Sequence, residues 1–96
     1  MNSQEIIDNL RNQMPIIKSR FGVEEIGLFG SYARNEIKKD SDLDFLVTIQ
    51  PPTFLNLAGL LNFLEDLFHT KVDLTTKHKH LSARFLKAIE KEIIYA

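Results

Sequence analysis

The chain has 96 residues, 44% of them apolar and 26% charged, with a formal net charge of −1, so it has one core to bury and lacks the broad basic footprint of a protein that coats nucleic acid, which makes direct nucleic-acid binding unexpected. It contains no cysteine, which excludes a disulfide framework, a thiol nucleophile and a Cys-ligated zinc. Nothing approaches about 18 consecutive apolar residues, and Met1 to Asp8 carries no apolar run, so neither a membrane span nor a signal peptide is expected and the cytoplasm is the expected compartment.

Asn2 and Glu5 have the spacing of a capping box, and Ile6, Ile7, Leu10 and Met14 follow at helical intervals, which predicts a helix from about Ser3. Pro15 is expected to kink or restart it, and Gly22 to stop it. Val23 to Phe29 reads as a short buried strand ended by Gly30. A polar connection, Ser31 to Ser41, leads to a second strand through Leu43, Phe45, Val47 and Ile49, closed by Pro51 and Pro52. Thr53 is a good N-cap for a helix reaching about Phe68. That helix has two apolar stripes, Phe54, Leu57, Leu61, Leu64 and Phe68 beside Leu55, Leu60, Phe63 and Leu67, with only a narrow polar line between them. It is more apolar than one sheet requires, so it is either deeply buried or meets a partner. Lys71 to Thr75 reads as a third strand, and Leu81, Phe85, Ala88 and Ile89 as a last helix that takes in Ile93 or leaves Ile93 to Tyr95 for an edge strand. The expected fold is α/β (α+β): a single domain with a three- to four-stranded mixed sheet and helices packed on it.

The chemistry concentrates between Gly30 and Asp44. A Gly-Ser pair after a strand is either an ordinary turn or a place where phosphate approaches the backbone and meets the Ser31 hydroxyl and nearby N–H groups. Asp42 and Asp44 stand two residues apart at a strand entry, so both carboxylates share one face. Alone, that pair is either solvated or a repelling pair that calls for an oxygen-loving cation such as Mg²⁺.

The combination is more telling than its parts. Leu28-Phe29-Gly30-Ser31-Tyr32-Ala33-Arg34, then Ser41-Asp42-Leu43-Asp44-Phe45-Leu46-Val47, and later Lys71-Val72-Asp73-Leu74 resemble the polymerase-beta-type nucleotidyltransferase superfamily, and within it the minimal (MNT) branch. The one departure is Asn35 where the family usually has Gly; Asn is the residue that best tolerates a left-handed backbone angle, so the same turn is expected. The resemblance implies that Asp42 and Asp44 bridge two Mg²⁺ ions, that Asp73 ligates one and helps deprotonate the acceptor hydroxyl, and that Gly30, Ser31 and, inside the motif, Arg34 bind the nucleotide. It also implies the nucleotidyltransferase fold, ATP as substrate, and a protein acceptor, a tyrosine of a HEPN toxin, with this chain as antitoxin. Two other functions remain open: a module that neutralises a toxin by contact alone, and a small-molecule nucleotidyltransferase acting as a homodimer.

The remaining polar residues point less sharply. Lys38 and Lys39 read as a solvated loop, and Lys77-His78-Lys79-His80 as a basic helix entry rather than a zinc site. His69 reads as a helix-end residue, and Tyr32 carries no specific signal.

Overall fold

The computed structural model describes all of residues 1–96. Helix α1 spans Ser3–Phe21; the Asn2 side chain accepts from the Glu5 N–H at 2.9 Å while the Glu5 carboxylate accepts from the Asn2 N–H, a closed capping box. Pro15 does not restart the helix. It lies on the exposed side, so the carbonyl that loses its partner four residues back faces water instead of the core, and the helix runs on.

Gly22 ends α1 with φ 70° and hands the chain to strand β1, Val23–Phe29. A Cβ on Gly22 would stand 2.3 Å from the Gln50 carbonyl oxygen. Gly22→Ala therefore meets both a left-handed backbone and a backbone clash, and is expected to cost about 2–4 kcal/mol. Urea denaturation with an unchanged slope and a lower midpoint is the expected result; a midpoint equal to wild type would contradict this account of the turn.

Strand β2, Leu43–Ile49, runs antiparallel to β1 with Phe29 opposite Asp44. Thr53 caps helix α2, Phe54–Phe68, which ends at His69 in a left-handed conformation, the helix-end role expected of it. Strand β3, Val72–Thr76, then pairs parallel to β2 and sets Asp44 beside Asp73. A short helix α3, Ala83–Ile89, is followed by strand β4, Ile94–Tyr95, antiparallel to β1. Ile93 thus belongs to neither, and the chain end takes the edge-strand option. The sheet order is β3-β2-β1-β4, mixed and four-stranded.

Period-two alternation divides β2 between two faces. Leu43, Phe45, Val47 and Ile49 join Ile6, Leu10, Ile17, Leu60, Leu64 and Phe68 in the core between the sheet and helices α1 and α2. Phe45 stacks against Phe68 at 6.1 Å between ring centres. Asp44, Leu46 and Thr48 face the other way, where α3 and β4 cover only part of the sheet: Phe85 meets Phe29 edge-on at 5.6 Å, and Ile89 is buried. The carboxylates are thereby kept off the core.

Helix α2 is buried only in part within the domain. Leu60, Leu64 and Phe68 are buried, and Leu57, Leu61, Phe63 and Leu67 pack against the core in part, so its centre is accounted for within the domain. Its first turn is not: Phe54 is 82% and Leu55 81% exposed. Two large apolar side chains in water at one helix end mark a surface suited to contact.

Candidate active site

The site forms where β1 gives way to a tight turn beside the entry to β2. Gly30 has φ 78°, and residues 31–35 wind into one turn, with the Arg34 N–H donating to the Gly30 carbonyl at 3.2 Å and the Glu36 N–H to that of Ser31 at 2.9 Å. A Cβ on Gly30 would fall 2.3 Å from Asp44 Oδ2. Only glycine lets this turn lie against the Asp44 carboxylate, so its absent side chain is part of the site. Asn35 has φ 55°, as the turn demands, and its side chain accepts from the Ser3 N–H at 2.8 Å and donates to the Ser3 hydroxyl at 3.2 Å. Those two bonds tie the turn to the start of α1. Tyr32 is a packing residue, buried in the core cluster.

Asp44 is half-buried between Gly30 and Asp73. Burial foremost, then the charges of Asp73, Asp42 and Glu92, raise its carboxyl from 3.8 to about 6, with Arg34 pulling the other way. Asp44 thus feels the charges of both Asp42 and Asp73. The site is not a closed cage: nowhere do three His, Asp or Glu side chains converge tightly enough to hold an ion by themselves. The reason lies in the strand ends. Asp42 precedes β2 and lines an opening of about 530 Å³ with Tyr32, Ser41, His69 and Lys71. Asp73, exposed on the edge strand, lines a separate opening between α2 and β3 with Leu57, Leu61 and Leu74.

Arg34 lies at the site but is engaged by protein. Its Nε donates to Glu36 at 3.1 Å, and its Nη1 to both Glu92 carboxylate oxygens at 3.0 and 3.1 Å. These hydrogen bonds, Glu36 first and Glu92 second, raise its already high pKa, so it is a permanent cation here. Glu92 also accepts the Gly30 N–H at 2.5 Å. Glu92 lies outside the motifs that the sequence singles out for the site. The structure supplies what the sequence could not: Leu28 pairs with Ile94, and continuing that register two residues sets Glu92 opposite Gly30. Lys38 and Lys39 are exposed, as expected. His78 stays exposed, its Nδ1 accepting the His80 N–H at 3.1 Å within the loop.

The Gly30-Ser31 turn thus lies against Asp44, with Asp42 just before β2 and Asp73 on β3. The family description of a nucleotidyltransferase domain matches residues 10–96. The chain belongs to that family. Protein adenylyltransferase MntA of Thermococcus cleftensis is 40% identical over 93 residues, covering 96% of this chain and 93% of its own. A solved structure described as a candidate minimal nucleotidyltransferase superposes with a TM-score of 0.78 at 30% identity, covering 98% of this chain and 95% of that one. A rebuilt structure of tri-AMPylated Shewanella oneidensis HEPN toxin in complex with MNT antitoxin shares the fold, with a TM-score of 0.56 at 22% identity, covering 98% of this chain and 67% of that one. The chain is thus a minimal nucleotidyltransferase, an enzyme with the three-helix, four-stranded fold of that group. No helix of this nucleotidyltransferase is long and apolar enough to cross a membrane.

Proposed function

We propose that this nucleotidyltransferase moves AMP from ATP to a tyrosine hydroxyl of a HEPN-type partner and acts as its antitoxin. The observation that carries the reading is the contact of the Gly30 turn with Asp44, flanked by Asp42 and Asp73, because it sets a phosphate subsite directly beside the acids that serve transfer. The similarity to MntA and the fold shared with the MNT–HEPN complex support the substrate and partner.

The donor set fits Mg²⁺. Asp42, Asp44 and Asp73 offer only hard oxygens, and Asp44, raised first by burial and then by the charges of Asp73 and Asp42, is a carboxylate that a cation would favour in its ionised form. An open row also suits a cation that keeps several waters and takes further ligands from a triphosphate. When bound, Mg²⁺ would neutralise triphosphate charge and acidify the acceptor hydroxyl. The chain's own residues do the rest. Gly30 and Ser31 bind and orient the phosphates. Asp73, exposed on the edge strand, is placed to take the acceptor hydroxyl's proton on a carboxylate oxygen. The acceptor oxygen bonds to the α-phosphorus as the α–β bridging bond breaks, and pyrophosphate leaves with that electron pair.

The opening around Asp73 also speaks to the acceptor. Phe54, Leu57, Leu61, Val72 and Leu74 line it, an apolar surface beside β3 that suits contact with a protein acceptor better than with a sugar. Exposed Phe54 and Leu55 extend that surface toward another chain.

The test is incubation with a co-encoded HEPN protein, Mg²⁺ and ATP labelled at the α- or γ-phosphate. Label from the α position alone should reach the partner, and tyrosine-to-phenylalanine variants of the partner should lose it. Neutralisation of the partner without any label transfer would replace this reading by binding alone, and label on a small molecule only would replace it by the small-molecule reading.

A further inference from the structure

We propose that Glu92 is an internal occupant of the triphosphate subsite, and that nucleotide binds by displacing its carboxylate from the Gly30 amide and the Arg34 guanidinium. The inference rests on the assignment of Gly30 and Arg34 to the nucleotide and adds what sets their availability.

The geometry is that of an anion on an anion site. One Glu92 oxygen accepts from the Gly30 N–H at 2.5 Å, and both accept from Arg34 Nη1 at 3.0 and 3.1 Å. A carboxylate held by a turn amide and a guanidinium uses the same charge-assisted donors as a phosphate. Both donors cannot serve Glu92 and a triphosphate in full at once. The carboxylate is not there by chance of a loose tail. Glu92 lies in the turn that closes α3, with its N–H bonded to the Ile89 carbonyl at 3.0 Å, and the following residues pair with β1. The side chains of Ile93 and Tyr95 pack so closely over Gly27 that a Cβ there would lie 2.8 Å from Ile93. The chain end is clamped, and the clamp aims Glu92 at Gly30.

Glu92 differs in this from every other acid near the site. Glu36 touches Arg34 through Nε at 3.1 Å and is largely exposed, but it makes no contact with the turn amide. Glu90, two residues earlier, is exposed and makes no ion pair. Removing charge at Glu36 or Glu90 changes the local field without vacating the subsite, whereas removing it at Glu92 does both.

The experiment is calorimetric titration of the full chain with ATP, in Mg²⁺ and again in EDTA, for wild type, Glu92→Ala, Glu92→Gln, Glu36→Gln and Glu90→Gln. Glu92→Ala is expected to bind ATP about tenfold or more tightly in both buffers. Glu92→Gln keeps an acceptor for the Gly30 N–H but loses the charge, so it should fall between Ala and wild type. It also carries the test if the Ala variant fails to fold. Hydrogen exchange supplies a second readout. The Gly30 amide should be protected in wild type, exposed in Glu92→Ala, and protected again when ATP is added.

An affinity in the Glu92 variants equal to or below that of wild type overturns the proposal, and so does an equal gain in Glu36→Gln or Glu90→Gln, which would reduce the effect to net charge. If wild type transfers AMP and Glu92→Ala still gains nothing, the inference alone falls. If no variant binds or transfers a nucleotide, the phosphate assignment falls with it.

Discussion

Asp44→Asn is expected to abolish almost all AMP transfer, lowering the rate by about 10²–10⁴-fold while leaving a folded protein. Asp44 is the acid pressed against the Gly30 turn and paired across the parallel ladder with Asp73, so on the proposed function it would face both the phosphates and the acceptor. Asparagine preserves its shape but carries no charge, and it leaves the cation without the carboxylate best placed to hold it. Asp42→Asn and Asp73→Asn should fall in the same direction. Of the two, Asp73→Asn should bind nucleotide more nearly as wild type does, since it stands on the acceptor side. The assay is α-labelled ATP with Mg²⁺ and the acceptor protein, after thermal melts confirm that each variant is folded. Full labelling by all three would end the assignment of the metal site.

Much of this site could be read from the sequence because its parts are local. Gly30-Ser31 and Asp42-x-Asp44 lie within fifteen residues, and strand periodicity points Asp44 away from the core, while Asp42 falls just before β2. Asn35 could be placed at a left-handed angle from its side-chain chemistry, and Asn2 with Glu5 named their own capping bonds. The failures have a common character: each depended on where distant segments meet. Pro15 interrupts helices by a local rule, yet α1 does not restart at it, because its face looks to water. The α2 stripes run together, and which of their residues are covered depends on α1 and β3, with Phe21 packing on Phe63 at 5.6 Å as one instance. Glu92 lies 62 residues from Gly30, and a two-residue edge strand is all that brings them together. A pattern that short carries almost no signal in a sequence, although its register, once drawn, places the residue.

The same contact that makes Asp44 useful makes it a burden on the fold. Its carboxyl has a pKa of about 6 in the native protein against 3.8 for the ordinary group, chiefly through burial and then through repulsion by Asp73, Asp42 and Glu92. The native state therefore holds that proton more tightly than the unfolded chain. As pH rises through the window from about 4 to about 6, the unfolded state releases it first, and stability falls. Above pH 6 the whole cost is present; below about pH 4 it is gone. A shift of this size corresponds to about 3 kcal/mol in full, and solvent at the open side of the site reduces that to about 1–2 kcal/mol. Asp44→Asn removes the cost, so in EDTA at pH 7 the variant should melt about 5–10 °C above wild type. The gain should shrink as pH is lowered and vanish near pH 4. Mg²⁺ should narrow the difference at pH 7 by stabilising wild type more than the variant, because a cation offsets in wild type the repulsion that the substitution deletes. Melting curves for the two proteins at pH 4, 5, 6 and 7, with and without Mg²⁺, decide the matter. If the variant melts below wild type at pH 7 in EDTA, or if its advantage is the same at pH 4 as at pH 7, then Asp44 is not held in a strained, charge-crowded site, and the physical basis for placing a cation beside it is lost.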